Sequence, residues 1–195
     1  MANSKGNIVL LISLGIIAGA ISFFTYRNRK KIIAVSKAFI GQQEVSGNVG
    51  FQNEEMERLM KEVGWKPGDA WCVYFAKLMW WLKSPEWLKP KIKTAISGSS
   101  QQTWQNVSND PAFIVSKIPR PGDMVIWQTY KNGVGQGSGH AGIVTKVNIN
   151  NFQTVEGNTS AISGTNEGIE VAERVREYNF DANNGLRLKG FVRFA

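Results

Sequence analysis

The hydrophobic period of the chain changes once, near Pro121, and that change limits the folds open to it. Upstream, apolar residues recur at helical spacing. Positions 32, 33, 35, 39 and 40 predict a helix ending at Gly41, and Met56, Leu59, Met60 and Val63 form one face of a second over Asn53 to Val63. Asn53 is placed to cap that helix, and Glu54, Glu55 and Glu57 favour its start. A third, from about Ala70 to Lys83, is apolar around most of its circumference, the profile of a central buried helix. Ser84 to Pro121 is interrupted by Pro85, Pro90, Pro111 and Pro119 and reads as loop, with a short helical piece near Gln101 to Asn106. Downstream the spacing predicts strands over Asp123 to Gln128, Ala141 to Val147, Phe152 to Glu156, Ile169 to Arg176 and Leu188 to Phe194. Helices first and closely spaced strands afterwards make an α+β plan with an antiparallel sheet of about five strands.

Charge divides the chain differently. The formal charge is +8, yet none of the 15 acidic residues precedes Glu44, whereas Lys5, Arg27, Arg29, Lys30, Lys31 and Lys37 do. The excess belongs to one end. A nucleic-acid-binding domain would carry a basic stripe across its folded part, so that class is excluded. Ile8 to Phe24 is an uncharged apolar run, just long enough to cross a bilayer, and predicts one transmembrane helix contacting lipid through residues 8–24. A cleaved signal with Ala18-Gly19-Ala20 as its small-residue site is the competing reading, although the apolar run continues to Phe24. The expected organisation is an anchor or uncleaved signal over 1–26, a basic juxtamembrane collar over 27–32, and a globular domain over 33–195.

Cys72 and His140 are each the one residue of their type, which excludes an internal disulfide and the paired-ligand zinc spacings. With Asp69 as the expected N-cap, Cys72 falls in the first turn of the third helix, where free backbone N–H groups stabilise a thiolate and can hold an oxyanion. Its bland reading is a small apolar residue on an apolar helix. His140 closes the run Gly133 to Gly139, which leads into a strand rather than a helix, so a phosphate-binding loop is excluded and a flexible hairpin loop beside a site is expected. Asn148 to Asn151 reads as a hairpin turn. Closed symmetrically about Ile149, it sets His140 opposite Asn158 and places His140, Glu156 and Asn158 on one sheet face. Either Glu156 or Asn158 then fixes one imidazole nitrogen and leaves the other for a thiol. Trp71, Trp104 and Trp127 are candidates for a substrate groove; Trp127 has the surroundings of a core residue, and Trp71, beside Cys72, shares them while remaining a substrate-binding candidate with Trp104.

Four stretches, Gly68-Asp69-Ala70-Trp71-Cys72-Val73-Tyr74-Phe75, Pro119 to Trp127, Gly139-His140-Ala141-Gly142-Ile143-Val144 and Val155-Glu156-Gly157-Asn158, resemble in this order the motifs of CHAP-domain cysteine peptidases and amidases. The resemblance spans residues 33–195, taking in Ile40 to Glu44 and Lys189 to Phe194. It implies a papain-like fold, with the nucleophile at a helix start packed on the sheet, and cleavage of an amide bond in the peptide part of peptidoglycan. It also implies Cys72 as nucleophile, His140 as base, and Glu156 and Asn158 as orienting residues. Some relatives bind calcium through an Asp-rich loop before the cysteine; here only Asp69 is acidic in that stretch, so no calcium, other metal or cofactor is expected.

A wall substrate places the domain on the cell-wall side of a membrane or in a phage virion, against the positive-inside tendency of the collar at Arg27 to Lys31. A catalytically silent module that binds wall peptides or a protein partner is the alternative to an enzyme.

Overall fold

The computed structural model describes residues 27–45, 47–159 and 168–195. Helix α1 covers 27–38. It leads to a two-stranded ribbon, β1 (Glu44–Val45) with β2 (Gly50–Phe51), then α2 (Glu54–Glu62) and α3 (Cys72–Lys83). As expected, the Asn53 side chain accepts the Met56 N–H and starts α2. The Pro-punctuated stretch is more ordered than predicted. It holds a 3₁₀ turn (Glu86–Leu88), α4 (Lys89–Ala95) and α5 (Ser100–Ser108). Pro90 falls in the first turn of α4, where a missing N–H breaks no helical hydrogen bond.

Strands β3 (Phe113–Ser116), β4 (Met124–Lys131), β5 (Val134–Val147), β6 (Asn151–Thr159), β7 (Glu170–Glu177) and β8 (Gly185–Phe194) form one antiparallel sheet in the order β3-β8-β4-β5-β6-β7. Six strands therefore replace the expected five. The extra one, β3, is a four-residue edge strand too short to show alternation. Among the described residues no helix is long and apolar enough to cross a membrane; the expected anchor over 8–24 lies outside them. This corrects the expected plan of a transmembrane helix leading into a five-stranded sheet: what is found among the described residues is an α+β unit of five helices and a six-stranded sheet.

Residues 27–32, expected as a collar, are the first turns of α1. Ile32 is buried in the core, and Arg29 pairs with the buried carboxylate of Asp123 at 2.9 Å. Arg193 pairs with the other Asp123 oxygen at 2.7 Å. Despite these two cations, burial raises the Asp123 carboxyl to about 6. The pairs tie α1 and β8 to the start of β4.

The sheet is covered on both faces. Helix α3 packs on β5 and β6, with Phe75, Leu78 and Met79 meeting Ile126, Ile143, Val155 and Val192 in the larger core. Each such side chain contributes about 1.5–3 kcal/mol on burial. On the other face Val125, Trp127, Val144, Phe152, Leu188 and Phe191 pack under Tyr178 and Phe180. Strand β4 is therefore buried on both sides, from Met124 to Trp127.

The run Gly133 to Gly139 is strand, not loop. Lys131 pairs with Val134, and Asn132 and Gly133 turn the chain at φ 52° and 77°. Asn-Gly is the strongest short hairpin signal, because a turn of that hand needs two residues that tolerate positive φ. That dipeptide was the available sign that β5 begins at Val134.

Candidate active site

Cys72 is the first residue of α3 and is buried. Asp69 does not cap the helix. The N-cap position is Trp71, which makes no side-chain cap, while the Asp69 carboxylate accepts from the Lys66 N–H at 3.2 Å and from the Tyr74 hydroxyl at 3.3 Å. The preceding turn is thereby braced without covering the first-turn N–H groups. Gly157 lets the start of α3 lie against β6: a Cβ there would come within 2.6 Å of Phe75 Cβ and closer still to the Trp71 ring.

Trp71 is fully enclosed. Its ring meets Phe51 and Phe75 edge-on, and its indole N–H donates to the buried Glu44 carboxylate. It has no surface for a substrate, and its expected binding role is corrected to packing. The stretch Ile40 to Glu44 thus reaches the site through Glu44, Trp71 and the residue that follows. Trp104, the other expected contact, is half-buried on α5, with the Lys189 ammonium 5.7 Å from its ring centroid.

His140 on β5 and Glu156 on β6 are both buried, and the imidazole Nε2 lies 2.8 Å from Glu156 Oε2. Cys72 is near enough for its charge and hydrogen bonding to raise the imidazole, and with Nε2 engaged by Glu156 it is Nδ1 that is left for the sulfur. Asn158 is buried at φ 53° and makes no hydrogen bond to His140. Of the two orienting candidates, the carboxylate is the one in contact.

This contact depends on a one-residue irregularity. The β5–β6 turn is Ile149-Asn150, because Val147 pairs with Phe152 and the Asn148 N–H donates to the Asn151 carbonyl. Continued without interruption, that register would put Glu156 and His140 on opposite faces. Between Val144↔Thr154 and Lys146↔Gln153, however, β5 carries one extra residue, Thr145. The bulge restores the parity expected for a turn centred on Ile149. The two imidazole-proximal residues come together only because turn and bulge offset each other.

Electrostatics favour the charged forms of His140 and Glu156. Burial alone would lower the imidazole, but a Cys72 thiolate, the hydrogen bond to Cys72, and the hydrogen bond and charge of Glu156 raise it to about 9. Burial alone would raise Glu156, yet hydrogen bonds from Arg176 and His140, with their charges, hold it well below the ordinary carboxylate range. The largest single lowering comes from the hydrogen bonding of Arg176 on β7. Its Nε donates to Oε1 at 2.9 Å and an Nη to Oε2 at 2.5 Å, and the guanidinium lies 5.2 Å from the Trp127 ring centroid. The Thr154 hydroxyl donates to Oε1 at 2.5 Å, and the Trp127 ring stands 5.8 Å from the imidazole. Arg176, Thr154 and the pairing of Trp127 with His140 were not found from the sequence. The available signal was that Thr154 and Glu156 share a face by parity; Arg176 needs the β6–β7 register.

A thiol beside an imidazole that is hydrogen-bonded to a buried carboxylate can generate a thiolate–imidazolium pair and move one proton between sulfur, nitrogen and a bound group. Among the described residues no three His, Cys, Asp or Glu side chains gather within metal-binding reach.

Residues 64–158 match the CHAP domain family, consistent with a CHAP-domain cysteine peptidase or amidase. The match encloses Cys72, His140, Glu156 and Asn158. The CHAP domain suggests a peptidoglycan hydrolase or amidase with a peptidoglycan peptide as substrate. No curated protein and no solved structure matches the chain.

Proposed function

We propose that the chain hydrolyses an amide bond in the peptide part of bacterial peptidoglycan by a thiol mechanism. The observation that carries this reading is the buried His140 imidazole, held at Nε2 by Glu156 and close enough to Cys72 to feel its charge. The Cys72 thiolate attacks the amide carbonyl carbon and forms a C–S bond. Uncapped N–H groups at the start of α3 stabilise the oxyanion, each such donor contributing about 3–4 kcal/mol in comparable sites. The His140 imidazolium gives its proton to the leaving amine nitrogen as the C–N bond breaks, leaving a thioester. Neutral His140 then takes a proton from water as its oxygen attacks the thioester carbon, and the C–S bond breaks to release a carboxylic acid, which loses its proton to solvent, and to restore the thiolate–imidazolium pair. Glu156 keeps the imidazole in orientation throughout. Such a substrate places the working domain on the cell-wall side of a membrane or in a phage virion.

Muropeptide release from purified peptidoglycan, followed by mass spectrometry, tests the proposal. Release by the intact chain that disappears in Cys72→Ala is the expected result. Undiminished release by Cys72→Ala would remove the nucleophile, and no release from any wall type would leave a wall-peptide binding module.

A further inference from the structure

Strand β8 carries its own irregularity beside the site. Gly190 pairs with Ile126 and Leu188 with Trp127, so Lys189 is an extra residue on β8. A bulge of this kind re-aims a side chain. The Lys189 ammonium is turned to the start of α5, where it donates to Gln101 Oε1 at 3.2 Å and lies over the Trp104 ring. The neighbouring Lys117 ammonium donates to the Lys189 carbonyl at 2.7 Å and lies 4.5 Å from the Phe180 ring centroid. Neither lysine meets a carboxylate among the described residues, although two cations and two rings adjoin there. Burial, and after it the charge of Lys117, lowers Lys189 from its ordinary value.

Gln101 connects this cluster to the catalytic strands. Its amide nitrogen donates to the Trp127 carbonyl at 2.9 Å, and Trp127 is the residue paired with His140. With strands about 4.8 Å apart, the ammonium lies within about 13 Å of the His140 backbone, the span of three or four extended residues at about 3.3 Å each. That is the scale of a short wall peptide.

We propose that Lys189 and Trp104 form a subsite for a free carboxylate of the substrate, three or four residues from the bond cut. The ammonium pairs with the carboxylate, and the Trp104 ring covers the apolar stem of the residue that carries it. The bulge, the lack of a carboxylate partner among the described residues and the link through Gln101 support it independently of the family, while the identity of the ligand as a peptide rests on the hydrolase reading.

The test uses synthetic wall stem peptides in three forms: all carboxyls free, the C-terminal carboxyl alone amidated, and the acidic side chain alone amidated. The intact chain is expected to prefer the free peptide by about tenfold in KM, the size of one charge-assisted hydrogen bond. One of the two amidated forms loses that preference and identifies which carboxylate is bound. Lys189→Met and Lys189→Gln are expected to abolish the preference, Lys189→Arg to restore most of it, and Trp104→Ala to raise KM for all three forms. Retention of the preference in Lys189→Met, or its absence in the intact chain, overturns the subsite. Binding of the same peptides to Cys72→Ala by calorimetry gives a readout without turnover. No hydrolysis with a Lys189-dependent preference in binding would defeat the hydrolase and keep the subsite; hydrolysis without that preference would do the reverse.

Discussion

Replacing Arg176 by Met probes the least replaceable interaction of the site. The Glu156 carboxylate is wholly buried, and the guanidinium that meets both its oxygens is largely so. Removing one partner of such a pair leaves a buried charge without its main compensation, a loss of about 3–5 kcal/mol. In a chain of this size each kcal/mol moves the melting point by about 2–4 °C, so Arg176→Met should melt about 6–20 °C below the parent. Glu156→Gln in the same background removes the stranded charge, and the double variant should be less destabilised than the two single losses added together. The pH dependence gives a second readout. A carboxylate held below its unfolded value stabilises the fold above about pH 4.3, and that contribution is lost only as the pH falls through the folded value. Without Arg176 the folded value rises, so acid unfolding should begin at higher pH than in the parent. Denaturant titrations at several pH values, with calorimetry, measure both effects. A loss under about 1 kcal/mol in Arg176→Met, or strict additivity in the double variant, would refute the view that the pair compensates a buried charge.

Four further outcomes follow from the geometry. With His140 raised to about 9, kcat/KM should fall as the pH rises through about 9, where the imidazolium is lost, and Glu156→Gln should move that limb to lower pH; an unmoved limb would separate the titration from the pair. The same shift contributes stability that is full below about pH 6.5 and lost as the pH rises through the folded value, so the parent's denaturation midpoint should decline across that window and that of His140→Gln should not. Gly157→Ala brings a methyl against Trp71 and Phe75 and should cost about 1–3 kcal/mol by denaturant titration; full stability would mean that the start of α3 moves freely from β6. Deleting Thr145 closes the bulge and should put His140 and Glu156 on opposite faces, abolishing hydrolysis while the far-ultraviolet dichroism stays that of an α+β protein; retained hydrolysis would show that the register recovers elsewhere.

The sequence by itself determined the first three helices and the order of five of the six sheet strands, the burial of α3, the Asn53 cap, and Cys72 at a helix start with His140 and Glu156 on strands. These are local properties, because a helix face, a cap and strand alternation each repeat within a few residues. Pairing was not legible in this way. Side chains alternate with period two, so a single residue decides which face a whole segment presents, and whether Ile149 alone or Ile149 with Asn150 makes the turn is not visible in one strand. Tertiary structure set the parity through the bulge at Thr145, brought Arg176 from β7 onto Glu156, and chose Glu156 over Asn158 as the partner of His140. It also withdrew Trp71 into the core beside Glu44 and aimed Lys189 across a second bulge at α5. The side-chain contacts among these join residues between 16 and 88 positions apart. Such contacts exist only after the sheet has closed its register, which is the physical reason that the array around the imidazole was open to reading and its supports were not.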